Sequence, residues 1–334
     1  MTTIAVDAMG GDAGPSAVVE GAVLADADAH TRLILVGDEA RIRAELAKHP
    51  PSTRIRTVHA PTVVGMDESP SSVIRRRRDS SIWRATELVK AGEADAVVSA
   101  GHTGASMATA FFLLGTLQGV ERPAIATILP TLKGAAVLLD VGANVDSKPQ
   151  HLVQFAIMGH VYAQRMLNIP SPRVGLLSIG EEDTKGNELT KETFKLLKQT
   201  QVNFIGNVEG RDVYSGNADV IVCDGFIGNV ALKISEGLAE AIMQVLRREI
   251  TESAFGRLGF ALLRPAFRRF KRRVDYAEYG GAPLLGINGA SIICHGRSSP
   301  KAIKNAIHVA RDFVAGHVNR HIRDDIERHL GSKD

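Results

Sequence analysis

Short apolar runs rich in β-branched residues recur along the whole chain and alternate with stretches of helical periodicity. Most of these runs end in glycine, aspartate or another small polar residue. Such runs are typical of strands that are buried on both faces, as in α/β proteins. The runs are TIAVDAMG, RLILVG, IRTVHA, AVVSAG, AIATILP, AVLLDVG, RVGLLSIG, VNFIGNVE, VIVCDGF and ASIICHG. The pattern predicts an α/β protein with largely parallel, buried strands.

Two of the predicted helices have clear starting points. Ser69 precedes Pro70, and Lys148-Pro149 opens an apolar-periodic stretch that runs to about Leu167. No Pro/Ser-rich linker divides the chain. We therefore expect residues 1–334 to form one unit of two interlocked α/β lobes, with a border between about Thr116 and Lys148.

Composition narrows the class of protein. The formal net charge is only +3, so the total charge does not call for nucleic acid. There is no run of about 18 apolar residues, and the first residues lack the features of a secretory signal. The two cysteines, Cys223 and Cys294, have neither the number nor the spacing for a zinc site or a disulfide framework. These features predict a cytoplasmic protein.

Several common catalytic motifs do not occur in the sequence. It contains no phosphate-binding loop of the Gly-x-x-x-x-Gly-Lys-Ser/Thr type and no Gly-x-Gly-x-x-Gly after a predicted strand. It also lacks His-Glu-x-x-His and Gly-x-Ser-x-Gly. These observations disfavour kinases, ordinary dinucleotide-binding dehydrogenases and the commonest zinc and serine hydrolases.

Glycine-rich turns with small polar residues follow four of the predicted strands, at residues 7–12, 101–105, 140–144 and 224–229. Glycine allows backbone N–H groups to approach an anion, and a following helix adds the positive end of its dipole. Ligands of such sheets gather beyond the carboxyl ends of strands. Each turn alone could be only a tight connection, but the four together favour an anion site. A fifth connection, residues 180–188, places acids around Lys185; taken alone, a solvated loop before a capped helix explains it better than a site does, but it too ends a predicted strand.

These turns belong to a longer series of motifs. In order, the chain contains VDAMGGD, GHTGAS, DVGAN, IGEEDTKGNE, NVEGRD, CDGFIGNVALK and DYAEYGGAPLLGINGASIICHG. The series covers almost the whole chain and resembles the bacterial phosphate acyltransferases of phospholipid synthesis. The chain departs from that pattern at His102, where asparagine is common, and at Arg297, where serine is common. The first departure indicates that position 102 donates a hydrogen bond and is not an obligatory base.

The resemblance implies a fold, an activity and partners. The fold would be a three-layer α/β/α fold with a largely parallel, partly mixed sheet, similar to isocitrate and isopropylmalate dehydrogenases and to phosphotransacetylase. The site would lie in a cleft between lobes, and a homodimer would be the working unit. The activity would be transfer of a fatty acyl group from acyl carrier protein to inorganic phosphate, giving acyl phosphate without a cofactor or metal. We also expect peripheral contact with an anionic membrane and with the membrane glycerol-phosphate acyltransferase that uses the product.

This chemistry requires a held phosphate, a stabilised oxyanion and a departing thiolate. A phosphate dianion is already a competent nucleophile near neutral pH, so no protein nucleophile is required. Positioned donors should therefore supply most of the rate. We expect phosphate to bind Lys185 and the backbone of four glycines, Gly10, Gly11, Gly225 and Gly228. The candidate polar catalytic groups are His102, Asn144, Asn187, Asn229 and His295, and the candidate orienting carboxylates are Asp7, Asp12 and Asp224. His295 could protonate the departing thiolate or be purely structural. Lys233 lies four residues after Asn229, on the same face of the predicted helix, and could face the site or be a surface lysine.

Two basic segments could meet an acidic partner. The first is Arg75 to Arg78. The second is an amphipathic hairpin at about residues 252–273, in which seven cations are interleaved with apolar residues and no acid occurs between Ser253 and Val274. Leu262, Leu263 and Phe267 would contact a membrane surface or a dimer partner, and Pro265 would kink the segment. We expect the C-terminal histidines His308, His317 and His321 to lie at the surface.

Three alternatives remain open at this point. A phosphotransacetylase that acts on coenzyme A thioesters would share the fold and the attack. A nonenzymatic protein that binds anionic lipid or nucleic acid would use the arginines but would leave the glycine-rich turns unexplained. An NAD-dependent decarboxylating dehydrogenase would need a metal-binding carboxylate cluster, which the sequence does not convincingly supply.

Overall fold

The structure is a computed structural model that describes residues 1–65, 67–252, 259–260, 262–267, 270 and 279–330. Its centre is a sheet in which eleven strands of the described ranges follow the order β3-β2-β1-β4-β11-β10-β5-β6-β9-β7-β8. The strands are β1 (Thr2–Asp7), β2 (Thr31–Gly37), β3 (Ile55–His59), β4 (Ala96–Ser99), β5 (Ala124–Thr131), β6 (Gly134–Leu139), β7 (Val174–Leu177), β8 (Phe204–Val208), β9 (Val220–Val222), β10 (Ala282–Leu285) and β11 (Ala290–Ile293).

Helices connect most of the strands. They are α1 (Gly14–Ala25), α2 (Glu39–Leu46), α3 (Pro70–Arg76), α4 (Ser81–Lys90), α5 (Thr103–Leu114), α6 (Pro149–Met166), α7 (Glu188–Leu197), α8 (Gly225–Glu252), α9 (Pro300–Ala315) and α10 (Val318–Leu330), with a 3-10 turn at Gly210–Tyr214. Within the described ranges, no helix is long and apolar enough to cross a bilayer.

Alternate residues of each strand point into different helical layers. In β1, Ile4 and Val6 pack with α1, α6 and α9, whereas Ala5 joins the cluster under α3 and α4. In β6, Leu139 faces the first layer and Leu138 packs in the cluster that includes α5. Because side chains alternate across a strand, this division shows helices on both faces of one sheet. The predicted three-layer α/β/α fold is confirmed.

The sheet reverses direction in its middle. Strands β1, β2, β3, β4 and β11 are mutually parallel, and so are β6, β7, β8 and β9. Between the two sets, β10 pairs antiparallel with both β11 and β5, and β5 pairs antiparallel with β6. The two parallel sets therefore run in opposite directions. Their carboxyl ends, where the predicted site residues lie, point to opposite edges of the sheet.

Local sequence signals place several elements accurately. Ser69 caps α3 by accepting a hydrogen bond from the Ser72 amide, and α6 begins at Pro149 and ends one residue before Leu167. All ten apolar runs contain a strand. The eleventh strand, β10, was not predicted because its four residues lie between glycines and include a proline, features that normally indicate a turn. The division into two lobes stays a prediction.

Candidate active site

The predicted site residues form two groups, which we call the first and second turn clusters. The first turn cluster comprises residues 7–12, 99–103 and 294–298, which follow β1, β4 and β11. The second turn cluster comprises residues 140–145, 178–187 and 223–229, which follow β6, β7 and β9. In the strand order, β1 and β9 are six positions apart, which is about 29 Å at the usual ~4.8 Å spacing. A phosphate ion cannot bridge that distance, so the single site expected from Gly10, Gly11, Gly225 and Gly228 is wrong within one chain.

Asp7 organises the first turn cluster. Its buried carboxylate accepts a hydrogen bond of 2.7 Å from Ser99 Oγ and one of 3.3 Å from the Met9 amide. Ser99 Oγ in turn accepts the Gly101 amide at 3.1 Å. Burial raises the pKa of Asp7, and hydrogen bonds from Ser81, Ser99 and backbone amides oppose that rise. Asp7 therefore joins the turns after β1 and β4, as expected of an orienting carboxylate. Ser99, the connecting residue, was not among the predicted site residues.

The glycines of this cluster allow close backbone packing. A Cβ on Gly10 would lie 2.5 Å from the Gly101 nitrogen, and the Gly10 amide faces the Asp7 carboxylate. Gly10 N–H is thus already engaged, which corrects its assignment to phosphate. Gly11 has a φ of +93°, and the next amide, that of Asp12, donates to the Gly296 carbonyl at 2.8 Å. The Asp12 side chain is exposed beside Gly296, so Asp12 joins the turns after β1 and β11.

Two histidines of the first turn cluster have a defined proton position when neutral. His102 caps α5, with Nδ1 accepting the Ala105 amide at 3.0 Å. His295 Nδ1 accepts the Arg297 amide at 3.3 Å. A ring nitrogen that accepts a hydrogen bond carries no proton, so Nε2 of each ring is the donor. This geometry agrees with a donor role for His102. It does not assign either ring to the reaction.

Asp140 organises the second turn cluster and was quoted in the sequence motif without being assigned a role. Its Oδ1 accepts the amides of Ile125, Gly142 and Ala143 at 3.0, 3.2 and 3.0 Å. Its Oδ2 accepts the Asn144 amide at 2.7 Å and Asn144 Nδ2 at 2.9 Å. Burial raises the pKa of Asp140 while these donors oppose the rise. The carboxylate thus fixes the conformation of the turn after β6.

This network engages groups that were expected to bind substrate. Asn144 Nδ2 donates to the Pro123 carbonyl as well as to Asp140, so Asn144 is not a free substrate donor. The Gly225 amide donates to the Asn144 carbonyl at 2.8 Å, and the Gly228 amide to the Asp224 carbonyl at 2.9 Å. The phosphate assignments of Gly225 and Gly228 are therefore wrong in this conformation. Their role is close packing, since a Cβ on Gly228 would lie 1.9 Å from the Asp140 carbonyl oxygen.

Asp224 and Asn187 are both helix caps. Asp224 Oδ1 accepts the amides of Phe226 and Ile227 at 3.0 and 3.1 Å, which satisfies the first turn of α8. Asn187 Oδ1 accepts the Thr190 amide at 2.9 Å and Thr190 Oγ1 at 3.1 Å. Asp224 thus orients the start of α8, whereas the oxygen of the Asn187 amide is committed to α7. Only Nδ2 of Asn187 is left to face a ligand.

Lys185 and Asn229 are the exposed polar residues of the second turn cluster that suit an anion. Two of the four acids that flank Lys185 have other partners, since Glu181 pairs with Arg211 at 3.1 Å and Asp183 pairs with Lys198 at 2.8 Å. No ion pair within the described part of the chain takes the Lys185 ammonium. Asn229 is exposed on the first turns of α8, over Gly142. Lys185 follows β7 and Asn229 follows β9, which are adjacent strands.

Other candidate groups are removed from the chemistry by their surroundings. Both thiols are buried, and burial raises the pKa of Cys294 to about 12 and that of Cys223 well above its usual value. Neither is a nucleophile at neutral pH. Lys233 pairs with Glu236 at 2.8 Å on the surface of α8, so the surface interpretation of Lys233 is correct.

The first basic segment lies beside the first turn cluster. Arg77 pairs with Glu68 at 2.9 Å, and that hydrogen bond, together with one from the Gly65 amide, lowers the pKa of Glu68. Arg78 lies over the ring of Trp83 at 5.5 Å. Two of the four arginines are thus used within the fold. Arg75 and Arg76 are exposed at the end of α3 and are the pair that could meet a partner.

Most of the predicted basic hairpin at residues 252–273 lies outside the described residues. Within the described part, residues 262–267 are helical and include Pro265. Leu262 and Leu263 are 76% and 56% exposed, and the ring of Phe267 lies 4.9 Å from that of Phe260. The sequence did not indicate a longer apolar surface on α8, where Val230, Ile234, Leu238, Ile242 and Val245 are all exposed on one face. We call this surface the α8 stripe.

Comparison with solved structures shows the fold. The chain aligns with a phosphotransacetylase from Streptococcus pyogenes at a TM-score of 0.63 and 17% identity, over 94% of each chain. It aligns with the EutD phosphotransacetylase from Staphylococcus aureus at a TM-score of 0.62 and 17% identity, again over 94% of each chain. At these identities the likeness concerns the fold alone, and it confirms the expected similarity to phosphotransacetylase.

Comparison of sequences shows the family. A family described as fatty acid synthesis protein matches residues 2–321. A phosphate acyltransferase from Pelotomaculum thermopropionicum is 55% identical over 97% of this chain and 95% of its own length. One from Geobacter sulfurreducens is 56% identical over 97% of this chain and 94% of its own length. The chain therefore belongs to the fatty acid synthesis protein family, together with these phosphate acyltransferases.

Proposed function

We propose that the chain transfers a fatty acyl group from acyl carrier protein to inorganic phosphate, forming acyl phosphate for phospholipid synthesis. Relatives that are more than half identical over nearly the full length are phosphate acyltransferases, which supports acyl transfer to phosphate. The family description, fatty acid synthesis, supports a fatty acyl donor. The carrier-protein thioester as the donor, the dimer and the membrane contact are the finer parts of the proposal.

The observation that carries the phosphate site is the exposed Lys185 ammonium after β7, which has no ion pair in the described part of the chain. Two of its four acidic neighbours, Glu181 and Asp183, are paired with Arg211 and Lys198. Asn229 can supply an amide donor from the adjacent strand end. Asp140 and Asp224 hold the turns that support this donor. We therefore place phosphate at the second turn cluster.

The reaction then needs little from the protein beyond positioning. A phosphate oxygen attacks the thioester carbonyl carbon, a C–O bond forms, and the C–S bond breaks as the carrier thiolate leaves. Negative charge collects on the carbonyl oxygen in between. A donor such as Asn229 Nδ2, held in place before the reaction, stabilises that charge, and such a donor is worth about 3 kcal/mol in comparable sites. Neither buried thiol takes part.

The carrier protein is proposed to dock beside the first turn cluster. Acyl carrier proteins are acidic, and Arg75 and Arg76 lie at the exposed end of α3, where no acid of the described ranges pairs with them. His102 and His295 lie in that cluster, where they could bind the arm that carries the thioester. Because the two turn clusters lie at opposite edges of the sheet and about 29 Å apart at the usual strand spacing, the thioester arm is proposed to enter the second turn cluster of the partner copy in the homodimer. A coenzyme A thioester would gain less from the two arginines.

Charge reversal at α3 tests the choice of donor. Arg75→Glu with Arg76→Glu should raise the KM for the carrier-protein thioester at least about tenfold at low salt and should leave the KM for phosphate unchanged. The matched control is Lys48→Glu with Lys90→Glu, which changes the net charge equally at exposed positions. If wild-type protein uses coenzyme A thioesters as well as carrier-protein thioesters and the two arginines have no effect, the phosphotransacetylase alternative is correct.

The α8 stripe supports a homodimer. Its apolar residues recur every three or four positions along a helix of 28 residues, which is about 42 Å long. Monomers rarely expose an apolar surface of that extent. Glu236, Glu240 and Glu249 occur along α8 together with Lys233 and Arg248. Mixed charge of this kind suits a second copy of the chain better than an anionic membrane.

The basic hairpin has the opposite charge character and is proposed to contact the membrane. Its seven cations have no acid among them between Ser253 and Val274. Near an anionic bilayer each cation contributes on the order of 1 kcal/mol. Exposed Leu262 and Leu263 would add a term that does not depend on salt. The result would be reversible, peripheral binding.

A further inference from the structure

A polar cavity lies on the outer side of the helical layer formed by α6 and α10, away from both turn clusters. It has a volume of about 250 Å³. Three histidines, two arginines and one aspartate line it, namely His160, His321, His329, Arg165, Arg328 and Asp325. On sequence we expected His308 and His321 to be surface residues, but both are partly buried, and only His317 is exposed. The acyl-transfer proposal uses none of the residues that line this cavity.

Two histidines that line this cavity each have a buried ring nitrogen without a hydrogen-bond partner among the described residues, namely Nδ1 of His160 and Nε2 of His329. The His160 ring hydrogen-bonds the Pro172 backbone, which has only a carbonyl to offer, so Nε2 donates and Nδ1 carries a lone pair. The His329 Nδ1 lies 2.7 Å from the Asp325 carbonyl oxygen, so Nδ1 donates and Nε2 carries a lone pair. Each neutral ring thus leaves a buried acceptor unsatisfied, which costs stability unless a ligand or a proton arrives.

The charged groups around these rings favour an anion. Arg165 Nη2 lies 3.2 Å from His321 Nδ1, which makes His321 the acceptor. Arg328 pairs with Asp325 at 2.6 Å, so the acid of the cavity is already compensated. Burial lowers the pKa of His160, Asp325 opposes this shift, and His329 adds to it. Burial likewise lowers the pKa of His321, with contributions from Arg165 and Arg320 and opposition from Asp324 and Asp325.

A metal ion is a poorer occupant than an anion. Within the described residues, no three His, Cys, Asp or Glu side chains are placed to hold one metal ion. In contrast, protonation would turn both unsatisfied lone pairs into N–H donors. The cavity would then present two imidazolium rings and the Arg165 guanidinium to one small volume. That arrangement matches an oxyanion with several acceptor oxygens.

We propose that the cavity between α6 and α10 is a second anion site, in which a tetrahedral oxyanion of the phosphate type binds beside Arg165 as His160 and His329 take up protons. Binding and protonation are then linked, because each ring hydrogen-bonds the anion only in its charged form. The site should therefore bind more strongly as the pH falls and only weakly above pH 8. It would let the enzyme sense phosphate or a phosphomonoester at a place other than its substrate site.

Sulfate is the best first probe because it gains no proton between pH 6 and pH 8. Calorimetric titrations of the full chain at pH 6.5, in two buffers with different ionisation enthalpies, count the protons taken up. We expect an uptake of about one or more protons per chain for wild-type protein. His160→Gln with His329→Gln should abolish that uptake and weaken sulfate binding at least about tenfold at pH 6.5. At pH 8.5 wild type and variant should differ little.

Three further variants separate this site from other effects. His308→Gln removes a ring with a buried unpaired nitrogen and a burial-lowered pKa that does not line the cavity, so proton uptake should persist. Lys185→Ala should also retain it, even if the proposed substrate phosphate site is lost. Arg165→Gln, at an exposed position that should not disturb folding, should weaken sulfate at least about fivefold.

Competition then identifies the source of the anion. Displacement of sulfate by inorganic phosphate alone indicates a site for free phosphate, and displacement by methyl phosphate as well indicates a site for a phosphomonoester. Displacement by neither compound overturns the proposal. So does a histidine double variant with unchanged proton uptake, an Arg165→Gln variant with unchanged affinity, or wild-type protein that takes up no proton with sulfate at pH 6.5.

Discussion

Asp140→Asn should destabilise the protein strongly, although the change replaces one oxygen by one nitrogen. Three backbone amides converge on Oδ1 of Asp140, and two N–H donors of Asn144 converge on Oδ2. An asparagine amide can place its oxygen on only one side. The amide nitrogen on the other side is itself a donor, and it then faces at least two buried N–H donors. At roughly 1–3 kcal/mol for each unsatisfied buried group, the expected loss is about 2–6 kcal/mol.

Asp224→Asn is the matched control for this experiment. Asp224 caps α8 through Oδ1 alone, and asparagine caps a helix about as well as aspartate, so the loss should be below about 0.5 kcal/mol. Urea denaturation, followed by circular dichroism, gives the difference between the two midpoints. If Asp140→Asn and Asp224→Asn unfold within about 1 kcal/mol of each other, Asp140 does not hold the turn after β6 as argued.

Three further predictions concern the phosphate site, the surfaces and the thiols. Lys185→Ala should raise the KM for phosphate by about 10- to 100-fold with little change in the KM for the acyl donor. The control Lys191→Ala, on α7, should change neither KM. An equal rise in both KM values for Lys185→Ala would show that Lys185 is not part of the phosphate site. Polar replacement of Leu262, Leu263 and Phe267 should release the protein from anionic liposomes and leave turnover of soluble substrate intact. Ile234→Ser with Leu238→Ser should instead yield a monomer, measured by light scattering. If the hairpin variant is a monomer with unchanged membrane affinity, the hairpin is the dimer contact and not the membrane contact. Burial raises the pKa of Cys294 to about 12, so at pH 8 roughly one Cys294 thiol in 10,000 is ionised, and burial also raises the pKa of Cys223. Both thiols should therefore resist alkylation until the protein unfolds. Rapid alkylation of the folded protein would contradict their burial.

The fold could be predicted from local patterns because buried strands and capped helices have local signals. The ten apolar runs and the start of α6 at Pro149 are examples. The reversal of the sheet could not be predicted in this way. It depends on β10, a strand of four residues, and on pairings between segments distant in sequence such as β10 with β5. In a sheet without that reversal, all the glycine-rich turns would lie at one edge.

The motifs located important turns but did not separate orienting residues from substrate-binding residues. The string DVGAN contains both Asp140 and Asn144, yet its donors and acceptors satisfy one another and the Pro123 carbonyl. The glycines at 225 and 228 were expected to expose N–H groups, whereas they are glycine because neighbouring backbone leaves no room for a Cβ. The sequence shows where glycines and small polar residues cluster in a turn, which restricts the backbone and the space around it. Whether such a turn serves close packing or ligand binding depends on hydrogen-bond partners from distant segments, which only the folded structure brings together.

The most direct test of the proposed function is a reaction of purified protein with an acyl carrier protein thioester and ¹⁸O-labelled inorganic phosphate, followed by mass spectrometry and a thiol assay. We predict labelled acyl phosphate and free carrier thiol in equal amounts, no thiol release when phosphate is omitted, and full activity in the presence of a chelator. Thiol release at the same rate without phosphate, with free fatty acid as the product, would show a thioesterase and contradict the account.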